Sequence, residues 1–128
     1  MVHAAGRGPV VPLKRLPAAF YATAGGREPV REWLKTLGRD DRRRVGEDIA
    51  TAEFGWPLGM PLCRPNCGMM GRGLFEIRSN LSDGRISRVI FAVTGERMVL
   101  LHAFVKKSRK TPKADLDLAV RRLQEIGT

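Results

Sequence analysis

The sequence predicts a small α+β domain, in which one antiparallel sheet of about four strands carries an N-terminal helical hairpin and a C-terminal helix. Three closely spaced runs, 74–79, 85–93 and 97–105, have the β-branched and apolar content of strands. Two stretches with helical spacing of apolar residues precede these runs, and a third follows them. The length of 128 residues suits one domain with a modest core. Because helices and strands are segregated along the chain, we expect all helices on one sheet face.

The N-terminal part divides into an arm and the start of the domain. Residues 1–17 are rich in glycine and proline, and we predict a flexible arm there, with the domain spanning 18–128. A short strand is predicted at 18–23. A helix follows at 29–37, with Pro29 at its first position, where the missing N–H costs nothing.

A second helix is predicted at 40–54, with Asp40 and Asp41 at its favourable N-terminal end. Gly46 weakens this helix by about 1 kcal/mol relative to alanine. The arginine run 42–44 turns away from the apolar stripe and forms a solvated face. That stripe consists of Val45, Ile49 and Ala52.

Residues 56–73 are predicted to be a loop, because prolines and glycines interrupt them repeatedly. In the strand that follows, apolar and charged residues alternate, so Glu76 and Arg78 share one side. The same alternation in the next strand predicts that Arg78 and Arg88 both stand on the open face of the sheet.

The hairpin formed by strands 85–93 and 97–105 is the centre of the predicted fold. Its last strand is apolar on both sides, which indicates an interior position. Simple alternation places His102 and Phe104 on the side of Met98 and Leu100. A basic segment follows this strand, and a C-terminal helix, capped by Thr111 and opened by Pro112, ends the chain. The basic residues are Lys106, Lys107, Arg109, Lys110 and Lys113.

The composition favours a polyanionic partner. There are 23 Lys and Arg residues against 13 Asp and Glu, a formal net charge of +10. This surplus suits nucleic acid, the ribosome or an acidic protein, although an inert charged surface is the alternative. Cys63 and Cys67, with His3 and His102 far away, are too few for a zinc site. We therefore expect free thiols, no metal and no cofactor.

No apolar run approaches the roughly 20 residues that a membrane helix needs. The N-terminus also lacks the apolar segment of a secretory signal. We therefore expect a cytoplasmic protein without a membrane partner.

Three motifs carry a family resemblance: GLFEIR at 73–78, an arginine opening an apolar strand at Arg88, and LHAFVKKSRKTP at 101–112. They resemble the phage-derived branch of the HigB/RelE-like toxins of type II toxin–antitoxin systems, within the RelE/ParE superfamily. The resemblance covers residues 18–126 and implies a RelE/ParE-like fold. Members are typically small cytoplasmic ribonucleases, and many cut messenger RNA in the ribosomal A site. Each is silenced by an antitoxin, usually a helix-turn-helix protein.

The resemblance implies metal-independent RNA cleavage, in which the ribose 2′-OH attacks its own phosphate and fixed cations stabilise the developing charge. It places Arg88 at a catalytic arginine, next to Arg78. Glu76 is either a base or an arginine partner. Lys106 and Lys107 either act on phosphate and leaving group or simply attract the RNA backbone.

Five further residues are candidates for RNA contact or for catalysis. Arg109, Lys110 and Lys113 are expected to contact ribosomal RNA. Phe104 either stacks on a base or belongs to the core. His102 is either a general base or a core histidine.

Two alternative functions stay open at the level of sequence, because the resemblance defines the fold better than the activity. One is a ParE-like inhibitor of DNA gyrase. The other is a catalytically inert remnant that binds an antitoxin and serves regulation. In every case we expect oligomers to form only through the antitoxin.

Overall fold

The computed structural model describes residues 15–56, 63–65, 73–106 and 112–126. The two predicted N-terminal helices and three long strands are confirmed, and their ends agree to within one residue. A short strand, β2, lies within the stretch predicted to be a loop. The elements are β1 (Ala18–Phe20), α1 (Pro29–Thr36), α2 (Arg39–Gly55), β2 (Cys63–Pro65), β3 (Leu74–Asn80), β4 (Ile86–Thr94), β5 (Arg97–Lys106) and α3 (Lys113–Ile126).

The strands form one sheet in the order β1-β5-β4-β3-β2. The α+β class is thus confirmed, with five strands rather than about four. Neighbouring strands are antiparallel except that β1 runs parallel to β5. Pro65 fits the edge strand β2, since an edge position tolerates a residue that cannot donate to the ladder. The interior position of β5, predicted from its two apolar sides, is confirmed.

Helices cover both faces of the sheet, so the expectation of a single helical face is wrong. We call the two sides the α1/α2 face and the α3 face. Ile77, Val89 and Phe91 pack with α1 and α2, whereas Ile90 and Leu101 pack with α3. The strands β4 and β5 are apolar on both sides, and each side therefore needs a cover.

A β-bulge in β5 redirects the residues that follow it. Ile90 pairs with His102 and Phe91 pairs with Leu100, so Leu101 is the extra residue. His102 and Phe104 consequently lie on the α3 face, not beside Leu100 as simple alternation predicts. The carbonyl of Leu101 accepts a hydrogen bond of 2.7 Å from Arg122 Nη1 on α3.

The folded domain begins before residue 18. Leu16 is buried in the core between the sheet and α2. The backbone N–H groups of Arg15 and Leu16 donate to the carbonyl of Glu53, and the N–H of Ala18 donates to its carboxylate at 2.7 Å. The arm predicted for residues 1–17 is therefore wrong for its last three residues, and its remainder lies outside the described residues.

The helix α3 is fixed to the sheet near its C-terminal end. The Tyr21 hydroxyl donates to the Glu125 carboxylate at 2.9 Å, and the Arg122 guanidinium lies 5.4 Å from the Tyr21 ring centroid. Burial and the bond to Glu125 raise the pKa of Tyr21. At the other end of α3, the Pro112 carbonyl accepts from the N–H of Leu116; the predicted cap Thr111 lies outside the described residues.

Within the described ranges, each helix is too short or too polar to cross a bilayer.

We expect Tyr21→Phe to lower the free energy of unfolding by about 1 kcal/mol near neutral pH, through loss of one hydrogen bond. Because folding raises the Tyr21 pKa, its contribution is complete below the ordinary value of 10.0 and is lost as the pH rises through the folded-state pKa. The gap between wild type and variant should therefore narrow above pH 10, in urea titrations at several pH values. A difference in unfolding free energy that widens above pH 10 would contradict a stabilising hydrogen bond from Tyr21 to Glu125.

We expect Gly46→Ala to raise the free energy of unfolding by up to about 1 kcal/mol. The position is exposed within α2, and no atom lies within 4 Å of an added Cβ. Gly84→Ala is the matched control: it has equal space but a φ of +82°, so it should destabilise by about 1 kcal/mol. Urea denaturation measures the change in unfolding free energy for both variants. Changes of the same sign would show that backbone conformation does not decide the effect of alanine at these positions.

Candidate active site

Two arginines lie directly opposite each other on the α3 face. The pairing of β3 with β4 makes Arg78 the register partner of Arg88. Like charges at directly opposed positions destabilise a sheet. This arrangement therefore costs stability, and it is suited to binding an anion between the two strands.

Glu76 is the carboxylate that balances Arg88. Arg88 Nη1 lies 3.1 Å from Glu76 Oε2, and the two side chains are only 8% and 9% exposed. The contact is an ion pair rather than an aligned hydrogen bond, since Glu76 Oε2 accepts none in the described structure. Burial lowers the pKa of Arg88 and nearby Arg78 adds to this effect, whereas Glu76 opposes it. Of the two interpretations of Glu76, the structure favours the arginine partner.

The two arginines differ in accessibility, so the prediction that both stand open to solvent is wrong for Arg88. Arg78 is half-buried, and its Nε–H is buried without a hydrogen-bond partner in the described part of the chain. Buried polar groups are nearly always satisfied, and an exception calls for an explanation. An acceptor from a ligand would supply the missing bond.

His102 lies on the same face, in contact with α3. Its Nε2 is 2.6 Å from Asp115 Oδ1, and its ring stacks on Phe104 with centroids 5.6 Å apart. The register places His102 opposite Ile90 and Phe104 opposite Arg88, so the bulge brings both residues to the arginine side of the sheet. Phe104 packs against the core cluster beneath α3.

The basic segment after β5 is described only at its two ends. The backbone of Lys106 ends β5, where this residue pairs with Ile86. Lys113, the first residue of α3, is exposed and forms an ion pair of 3.1 Å with Asp117. The predicted roles of Lys107, Arg109 and Lys110 concern residues outside the described ranges.

Asp115 is the residue that sequence reasoning missed. An acid in the first turn of a helix is common because it complements the helix dipole, so Asp115 gave no distinctive signal. The pairing of β2 with β3 adds a second unpredicted feature, since it makes Arg64 the register partner of Glu76.

Within the described ranges, no group of three or more histidine, cysteine or carboxylate side chains is placed to hold a metal ion. On the α3 face, the described side chains include two opposed arginines, Arg78 and Arg88, and the imidazole of His102, which is hydrogen-bonded to Asp115. Such a set can bind a phosphate and move a proton.

The fold and this sheet face define a small α+β domain with two opposed arginines between β3 and β4. Residues 32–124, 93 of the 128, match the family model described as phage-derived protein Gp49-like (DUF891). The chain therefore belongs to the Gp49-like family of phage-derived proteins, which is associated with RelE/HigB-like toxins. The resemblance is thus confirmed for a phage-derived, toxin-like family. No curated protein matches the sequence.

We expect Glu76→Gln to lower the free energy of unfolding by up to about 3–5 kcal/mol, because it removes a carboxylate that is paired with the buried Arg88 guanidinium. The exposed carboxylate of Glu96 provides the control, and Glu96→Gln should have little effect. Replacing both partners, Glu76→Leu with Arg88→Met, should recover most of the loss. Equal urea midpoints for Glu76→Gln and Glu96→Gln would show that the pair does not stabilise the fold.

Proposed function

We propose that this protein is the toxin of a type II toxin–antitoxin system and acts as a ribosome-dependent endoribonuclease on messenger RNA. The observation that carries the proposal is the opposed pair Arg78 and Arg88, together with the buried Nε–H of Arg78, which has no hydrogen-bond partner among the described residues. The family's association with RelE/HigB-like toxins supports it.

In this proposal the two guanidiniums bind the scissile phosphate. Arg78 donates to a phosphate oxygen, while Arg88, held by Glu76, stabilises the charge that develops on the phosphorane. The ion pair fixes the Arg88 guanidinium before substrate arrives, so little reorganisation accompanies the reaction. Glu76 is therefore a positioning residue in this mechanism.

Proton transfer is assigned to His102. With its Nε2–H donated to Asp115, the imidazole keeps Nδ1 as a proton acceptor. His102 takes the 2′-OH proton, the 2′ oxygen attacks phosphorus, and the bond to the 5′ oxygen breaks. The products are a 2′,3′-cyclic phosphate and a 5′-hydroxyl, whose proton comes from Lys106 or Lys107. DNA lacks the 2′-OH and should resist cleavage.

The partners proposed for the toxin are messenger RNA, the ribosome and a helix-turn-helix antitoxin, and the setting is the cytoplasm. The formal net charge of +10 supports an RNA-rich partner. In this proposal Phe104, Lys113, Arg109 and Lys110 contribute to RNA contacts around the cleaved phosphate.

We expect purified protein to cut a message during active translation, and Arg78→Gln to slow this cutting by about 100- to 1000-fold. Primer extension on a reconstituted translation reaction maps the new 5′ ends, with the untranslated message as a parallel sample. Arg97→Gln removes an exposed arginine at the far end of β5 and should cut like wild type.

Intact messages during growth arrest would overturn the proposal. Inhibited supercoiling in the same preparation would then indicate a ParE-like gyrase inhibitor. If neither wild type nor Arg78→Gln slows the growth of cells that express it, the protein would be an inert, antitoxin-binding remnant.

A further inference from the structure

We infer that the outer side of α2 is a second RNA-binding surface, which takes the phosphate backbone of double-helical RNA. We call it the α2 arginine surface, and it consists of Arg39, Arg42, Arg43 and Gly46. It lies on the opposite side of the sheet from Arg78 and Arg88, because α2 covers the α1/α2 face. The inference does not depend on ribonuclease activity.

The three arginines of this surface are exposed and adjacent. Arg42 and Arg43 follow Arg39 by three and four residues, a spacing that places side chains next to one another on a helix. All three are exposed, and no described residue forms an ion pair with them. Asp40 and Glu47 are the exposed acids that flank the surface, and neither is bonded to these arginines in the described structure.

Acids three or four residues away accompany only Arg43, so Arg39 and Arg42 have no opposite charge at pairing distance along α2. Like charges three and four residues apart destabilise a helix, and the N-terminal turns are where the helix dipole disfavours cations. The acid next to them, Asp41, is turned away: its carboxylate accepts the N–H of Ser82 at 2.8 Å and holds the β3–β4 turn. These arginines repel one another, and no described residue forms an ion pair with them. An anion from outside the protein would relieve this repulsion.

Gly46 supplies an independent observation. It lies one turn beyond Arg42 and Arg43 in the middle of a 17-residue helix, where glycine is unfavourable. No atom lies within 4 Å of an added Cβ, so packing inside the protein does not require glycine. The missing side chain leaves room for a backbone to approach the helix closely between the guanidiniums.

The chemistry of the surface favours RNA over a protein partner. Protein interfaces depend on buried aromatic and aliphatic anchors. The exposed positions of α2 carry charged residues, Gly46 and Thr51, and Phe54 near its C-terminal end is the one exposed large apolar side chain described on this helix. Arginine forks match phosphate oxygens, and double-helical RNA is recognised by its shape and backbone rather than through its deep groove.

The test measures how binding depends on salt. A fluorescent RNA duplex of about 16 base pairs, the length that double-stranded RNA modules span, is titrated by anisotropy at several salt concentrations. Replacing Arg39, Arg42 and Arg43 with glutamine should reduce the slope of log affinity against log salt by about 2–3, near 0.9 for each lost phosphate contact. The full-length protein is used, and thermal melting confirms that each variant is folded.

A matched variant removes the same charge elsewhere. Arg15, Arg97 and Arg121 are exposed and lie outside α2. Their joint replacement by glutamine should change the slope by less than about 1. Gly46→Gln, which leaves the charge unchanged, should also weaken duplex binding, because its side chain fills the space for the backbone.

Equal losses in the two triple variants would overturn the inference, since net charge alone would then explain binding. Unchanged duplex binding by the α2 triple variant would also overturn it and would leave an acidic protein as the occupant. Duplex binding is measured without translation or cleavage, so a failure of the ribonuclease proposal would leave this result unaffected.

Discussion

The buried contact between Glu76 and Arg88 is the constraint on which the α3 face depends. Two like charges stand opposed on β3 and β4, and the carboxylate of Glu76 offsets part of the cost of burying Arg88. Removing the carboxylate takes an opposite charge away from the buried Arg88, whereas replacing both partners leaves apolar side chains at the two positions. The sheet thus keeps two arginines side by side on this face at a cost in stability.

The bulge at Leu101 connects this ion pair to the rest of the face. Without the extra residue, His102 and Phe104 would lie beneath α1 and α2, away from the arginines. With it, both reach the α3 face, and the first turn of α3 supplies Asp115 to the imidazole. Arg122, on the same helix, donates a hydrogen bond to the carbonyl of the bulged residue Leu101. The helix α3 therefore contacts both the bulge and the histidine that the bulge reorients.

Much of the fold could be predicted from patterns in the sequence, and the predictions that were wrong have physical reasons. Periodicity located the helices and long strands, because each has a clear apolar set. It could not locate the bulge, because β5 is apolar on both sides and a shift of one residue leaves its pattern unchanged. Because β5 is apolar on both sides, its pattern also could not predict which face of the sheet α3 covers. Alternation did bring Arg78 and Arg88 together, but it carried no information on burial or on Asp115, a distant residue on another element.

The parallel edge strand has a consequence for biosynthesis. Residues 18–20 pair with residues 98–100, so the first strand must meet the last strand, about 80 residues later in the chain, to complete the sheet. Contacts of such sequence separation form late and slowly. A nascent chain can therefore close this edge only after its last strand has emerged from the exit tunnel.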